Sequence, residues 1–495
     1  MEFWNNIIDT ALLGTDKKDL VAAELSSALT EVYKQIYTNE VLDKEEKFLQ
    51  MAAVAFNFRQ CGVAPLIKEE VVIKAAVQEE KPYCNPLAVQ VLKDILEEQS
   101  HSLLKCWLQH CSAKEQTVIP ELIPALLQVG VSQQYLRALV IACCGKRGEW
   151  LSQFNTDWQF YNPESDEVIW QNGTSEQRKK VLQQLRTTEP LKASAWLQQT
   201  WLSENANTKA GLLKQLATNL SAEDVAWLED VLEEKSQKVK EVALALLKRL
   251  STSAVVINYW NILQKSITLK KEKALLGLRS ETTLQIRLSS PDESIFKTGI
   301  EKLSNINAFT DEECIIYQLI AAVPPQNWEA HFNSTPKEII VLFQKEKWTQ
   351  KFLPAFTKAT VQFNNKEWAA TFLQHGDELF SSSLISILSE QEQDEYTIKY
   401  FEKEPSTLIQ LATRRAAEWS IELTKTIFMY TAKNIYQYNR SFYNECIHLI
   451  SASIVGELEE YTPDVAYYQT VWSGMSEYLI KLITLKQQTI QAFQS

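Results

Sequence analysis

Between Ser236 and Leu250 the chain reads SQKVKEVALALLKRL, and its apolar residues fall at Val239, Val242, Ala243, Leu246, Leu247 and Leu250. Those offsets trace one continuous stripe along an α-helix. Ser236 stands where an N-cap hydroxyl accepts a bond from the first free backbone N–H groups, and Lys248 and Arg249 fall in the last turn, where positive charge suits the helix dipole. Working outward, Ser221 with Asp224 forms a capping-box start for a helix carrying Val225, Leu228 and Leu232. Before it come Leu213, Leu216, Ala217 and Leu220, then Trp196–Leu202 after Pro190, then a helix opening at Thr174/Gln177 with Val181, Leu182 and Leu185. Short connections make neighbours antiparallel, and none of these helices buries its stripe alone. Stacking the pairs resolves that, as helical repeats do.

The whole composition agrees with helix. Glycine is 12 and proline 14 of 495 residues, so the turn-makers of β architecture are scarce. Eight cysteines without framework spacing, several in apolar helical stretches (Cys106, Cys143, Cys144, Cys446), read as reduced thiols of a cytoplasmic protein. Glu2 and Asp9 are foreign to a signal peptide, and the longest uncharged apolar run, Ala138–Cys144, is too short to cross a bilayer. No membrane association is expected.

Along the chain, helices are expected at 3–13 (stopped by Gly14), 20–36, 44–59, 87–97, 101–111 and 120–129. Gln133–Cys144 then meets Gly145-Lys146-Arg147-Gly148, a break before a further helical turn; Ser112/Glu115 reads as another capping box. The polar, aromatic run 155–173 reads as a connecting loop. After Leu250, alternation at Leu284, Ile286 and Leu288 predicts a small β-hairpin or extended linker near 266–290. Thr310/Glu313 and Thr335-Pro336-Lys337-Glu338 restart helices, and Trp-x-x-x-Phe recurs at Trp328/Phe332, Trp348/Phe352 and Trp368/Phe372. The expectation is an all-α, HEAT-like helical-repeat solenoid: an N-terminal helical region at 1–160, a repeat centre at 171–265, a linker or small β element at 266–298, and a C-terminal helical region at 299–495.

The Ser236–Leu250 helix resembles the second helix of a HEAT repeat, with Val239-Lys240-Glu241-Val242-Ala243-Leu244-Ala245-Leu246-Leu247 in place of the usual core. Ala11-Leu12-Leu13-Gly14-Thr15-Asp16, Gly145-Lys146-Arg147-Gly148-Glu149-Trp150-Leu151, Arg178…Leu185-Arg186…Glu189-Pro190 and Pro324-Pro325-Gln326-Asn327-Trp328 together resemble an uncharacterised bacterial domain-of-unknown-function family. Lys209 and Lys240 stand where that family's pattern leads one to expect arginines. Its members resemble accessory proteins found beside MoxR-type AAA+ ATPases and von Willebrand A-domain proteins, which implies a scaffold or adaptor.

No catalytic constellation is visible: there is no Gly-x-Ser-x-Gly and no His-Glu-x-x-His. Gly145-Lys146-Arg147-Gly148 lacks the spacing of a P-loop. His101, Cys106, His110 and Cys111 carry metal-ligand chemistry, but their segment is also a plain amphipathic helix with cysteine as a small apolar residue, and no metal or cofactor is expected. The expected function is therefore non-enzymatic: a scaffold or adaptor binding a protein partner.

The alternative is a nucleic-acid-binding helical-repeat protein of the HEAT-like DNA-repair glycosylase kind. Residues 171–290 hold 18 Lys/Arg and 12 Asp/Glu, a net of +6 in a chain of net −12. Residues that would meet a partner are Lys146 and Arg147 at the exposed turn, Trp158 and Trp170 in the polar loop, and Lys238, Lys240, Lys270, Lys271 and Lys273 of the basic centre.

Overall fold

The structure, a computed structural model, describes residues 2–21, 25, 27–61, 74–161, 165–274, 279–289 and 293–494. The chain divides into two compact units, Met1–Ala75 and Ala76–Ser495. Both are helical, and the described strands are a single antiparallel pair, β1 (Ile267–Ala274) and β2 (Arg279–Ile286), in which Ile267 faces Ile286 and Leu269 faces Leu284. That pair is the hairpin expected from the alternation at 284–288.

In the first unit, helices Glu2–Leu13, Ser27–Tyr37 and Lys44–Cys61 surround a core of Phe3, Ile7, Leu20, Leu29, Ile36, Met51 and Ala55. The opening helix stops at Gly14, whose φ of +89° is open to glycine at no steric cost. The second helix begins later than the expected Leu20; part of that span (22–24 and 26) lies outside the described residues.

The larger unit holds two separate apolar cores. One gathers residues from Cys84 to Tyr161 together with residues from Val255 to Phe493. The last helix, Ala466–Gln494, brings this about by packing on helices Pro86–Glu97 and His101–Ala113. Trp107 meets Phe493 edge-on with ring centroids 5.3 Å apart, and Asn85 Nδ2 donates to the Ala492 carbonyl at 2.6 Å. The other core runs from Trp170 to Leu250 and contains the stripe read first: Val239, Ala243, Leu246, Leu247 and Leu250 are all buried.

Caps explain where many helices start. Reciprocal capping boxes form at Thr174/Gln177, Ser221/Asp224, Thr310/Glu313 and Thr335/Glu338, as the sequence predicts, and at Ser389/Glu392 besides. Two expectations need correction. Ser236 precedes its helix in extended backbone but makes no side-chain cap bond. Ser112 lies inside the helix that ends at Ala113, and Glu115 takes a φ of 52°, so no helix starts there.

The described residues of the polar run 155–173 are mostly helical. Thr156–Tyr161 forms a 3-10 segment, and Ser165 caps a helix at Asp166–Asn172 by accepting from the Val168 N–H, with Asp166 and Glu167 in the favourable first turn. Trp-x-x-x-Phe shares a helix face at Trp328/Phe332 and Trp368/Phe372, with centroids 5.6 and 5.9 Å apart. At Trp348 the helix ends at Gln350, because Pro354 opens the next one, and Trp348 is left exposed.

Candidate functional site

Of the residues expected to meet a partner, Trp170, Lys238 and Lys240 fall in the block around the central core, and within that block a spacing of thirty-one residues recurs. The N-caps Thr174, Asn205 and Ser236 stand thirty-one residues apart, as do Trp170 and Trp201, Arg178 and Lys209, and Trp196 and Trp227. The side chains repeat the same arrangement. The Arg178 guanidinium lies 4.5 Å over the Trp170 ring and donates to Glu204 at 2.5 Å. The Lys209 ammonium lies 4.9 Å over the Trp201 ring and donates to Glu234 at 2.6 Å. Trp170 meets Trp196 at 5.9 Å and Trp201 meets Trp227 at 5.0 Å. A cation between an aromatic face and a carboxylate satisfies both, and partial burial strengthens each contact. Glu234 accepts from Lys209 and from the Trp201 indole N–H, and the bond from Lys209 is the largest cause holding its carboxyl below the ordinary range. A third turn of the pattern lacks its ring: the position after Trp201 is Leu232.

Arg186 locks the unit from inside. Its guanidinium is 1% exposed and pairs with Asp224 through Nη1–Oδ1 at 3.1 Å and Nη2–Oδ2 at 2.8 Å. Nε donates to the Thr218 carbonyl, Nη2 also to the Asn219 carbonyl, and Nη1 to Ser194 Oγ. Asn219, in left-handed backbone at φ 48°, returns a bond from Nδ2 to the Arg186 carbonyl. One planar, always-charged fork thereby ties three helices and a turn. The sequence reading named Arg186 only as part of a resemblance; its burial was hidden because charge usually signals surface.

The residues expected to meet a partner are dispersed. Trp170 is a correction: it is buried in the central core, 5% exposed, because the supposed loop around it is a helix. Trp158 is half-buried against the larger core. Lys146 follows Gly145, whose φ of 54° breaks the helix Arg137–Ser152; the Lys146 N–H donates to Glu79 Oε2 at 2.7 Å and its ammonium pairs with Glu80. That bond from Lys146 is the chief cause lowering the Glu80 carboxyl's pKa. A Cβ at Gly145 would stand 2.0 Å from Glu79 Oε2, so glycine permits this carboxylate to cap the second half of the helix. Arg147 is exposed beside it.

Lys238 is exposed and donates to Asn207 Oδ1 at 2.8 Å, bridging the helices Gln237–Leu247 and Ala206–Leu213, while Lys240 is half-buried on the same helix. Lys270 is exposed on β1; the side chains of Lys271 and Lys273 lie outside the described residues. Lys248 is half-buried, and desolvation lowers its pKa. Within the block, Arg178, Lys179, Arg186, Lys192 and Lys209 are held by its own carboxylates.

Among the described residues no group of three or more His, Cys, Asp or Glu side chains is arranged to hold a metal ion. His110 stacks on Phe493 at 6.0 Å, whereas Cys111 turns to Cys84, with sulfurs 3.5 Å apart. All eight cysteines are free thiols. No described helix is long and apolar enough to cross a membrane.

Compared with curated proteins and with solved structures, the chain finds no match in either. One family model does match, over residues 6–493, and so nearly end to end. The chain belongs to that family, described as a family of unknown function (DUF5691).

Proposed function

We propose that the protein is a non-enzymatic scaffold or adaptor whose HEAT-like central repeats present a rigid face to a protein partner. The observation that carries this reading is the inward use of the central cations. Arg178, Arg186 and Lys209 face tryptophans and carboxylates of the block itself. A groove for phosphates needs such side chains directed outward. What the block leaves at its surface includes Leu191 and Leu202, 67% and 93% exposed, among mixed charges, a composition suited to a protein interface.

The partner class proposed is the MoxR-type AAA+ ATPase with its von Willebrand A-domain companion, on the strength of the resemblance in the sequence. The test is calorimetric titration of the full chain with such a purified ATPase. Saturable binding, weakened at least about tenfold by Leu202→Glu, is the expected result, since a charge at a packed apolar contact removes roughly 1.4 kcal/mol or more. Heat changes no larger than buffer dilution would overturn the partner assignment, and binding indifferent to Leu202→Glu and Leu191→Glu would move the interface off this block. Exposed Lys238 and Lys270 are what favour the second reading, nucleic-acid binding.

A further inference from the structure

The first unit contains a cavity of about 330 Å³ lined by Thr10, Thr15, Lys18, Asp19, Tyr33 and Tyr37 together with Lys44, Lys47, Leu20 and Phe48. Four elements build its wall. The helix Glu2–Leu13 supplies Thr10, the turn after Gly14 supplies Thr15 to Leu20, and the two following helices supply the tyrosines and Lys44 to Phe48. Tyr33 and Tyr37, one helical turn apart, stack with ring centroids 4.2 Å apart and planes inclined by 17°. Tyr33 is anchored, its hydroxyl donating to the Leu20 carbonyl at 2.9 Å.

One atom of this lining has no place in the unit's own bonding. Thr10 is 1% exposed, and its Oγ1 is buried without a hydrogen-bond partner. Buried hydroxyls are nearly always paired, since an unmet one loses its bonds to water without replacement. Nothing among the unit's described residues meets it. Around it the charges are three ammoniums and one carboxylate. Lys18 pairs outward with Asp9 at 3.1 Å and Lys44 with Asp19 at 3.3 Å, both solvent-exposed pairs of the weak kind.

We propose that this cavity binds a small organic phosphate bearing a planar ring, of mononucleotide size. The phosphate sits at the lysine rim, where Lys44 and Lys47 meet it; the ring lies against the aromatic wall of Tyr37 and Phe48. Thr10 Oγ1 bonds to a polar edge of the ligand once its side chain turns toward the cavity, and Asp19 accepts from a hydroxyl or amine. The volume falls at the low end of the roughly 300–1,000 Å³ range of small-molecule sites, which matches a single nucleotide rather than a dinucleotide. Stacking on a ring and a point-charge clamp on phosphate are each sequence-tolerant contacts of modest strength, so the expected affinity is sub-millimolar.

The test is calorimetric titration of the full chain with AMP, GMP and CMP, and separately with adenosine and inorganic phosphate. At least one nucleotide should bind saturably with a Kd below about 1 mM, and each half should bind at least about tenfold more weakly. Lys47→Glu should weaken the nucleotide at least tenfold, and the near-isosteric Thr10→Val several-fold, with thermal melting of both variants close to the parent. The proposal is overturned if no nucleotide binds saturably up to about 5 mM, a Kd range at which binding is barely worth 3 kcal/mol. It is equally overturned if phosphate alone binds as tightly as the nucleotide, or if Lys47→Glu and Thr10→Val both bind like the parent.

Discussion

Arg186 and Asp224 show how much can rest on one charged pair at the residue scale. Both are buried, and each is saturated by backbone and hydroxyl partners besides the other. Removing one partner leaves the other charged and unmet, which in buried pairs costs about 3–5 kcal/mol. Arg186→Ala and Asp224→Ala should each lose that much in chemical denaturation, and Arg186→Lys should not restore it, because an ammonium cannot replace the fork. A loss under about 1 kcal/mol in either alanine variant would show the cluster to be peripheral. Leu246 makes the apolar counterpart. It is 4% exposed on the central stripe, so Leu246→Ala should cost about 2–5 kcal/mol, against under about 0.5 kcal/mol for a surface leucine.

Elements are where sequence and structure diverge in instructive ways. The stripe at Val239–Leu250 and the box at Thr174/Gln177 were readable because period and cap agree locally. The helix around Trp170 was hidden: its polar residues look like a loop until Ser165 is seen to cap it and its tryptophan to enter the core. Cys84 to Tyr161 sharing a core with the C-terminal helix was beyond local reading, since no periodicity records which distant helices meet. The recurrence of Trp170/Arg178 in Trp201/Lys209 was present in the spacing but diluted by the exchange of arginine for lysine.

His448, next to the helix Arg440–Cys446, carries an expectation for pH. Burial first, then the charges of Lys105 and Lys486, lower its pKa, against a raising backbone contact at Glu445; its Nδ1 is buried without a partner. With the folded value below the unfolded value near 6.5, the unfolded chain takes up the proton first, so stability present above about pH 6.5 is lost as pH falls through the window below it. Denaturant midpoints measured from pH 7.5 down to 5 should therefore fall less steeply in His448→Gln than in the parent. Parallel slopes would show that this imidazole does not contribute.

For the whole molecule the question is charge. A net of −12 in which the centre alone is positive invites a nucleic-acid reading, but the structure turns Arg178, Arg186 and Lys209 toward its own tryptophans and carboxylates. Cations already paired in this way release few counterions on meeting a polyanion, so both affinity and salt slope should be small. The bonds of the Lys238 ammonium to Asn207 and of the Lys146 ammonium to Glu80 point the same way, toward cations that fix register within the fold.

Fluorescence anisotropy of labelled mixed-sequence DNA and RNA, titrated with the full chain across a salt series, tests this most directly. The expected dissociation constant is no better than about 10⁻⁴ M at physiological salt, the weak end of non-specific binding, with a shallow salt dependence. Micromolar affinity that falls steeply with salt and is lost on changing Lys238, Lys240 and Lys270 to Glu would contradict it.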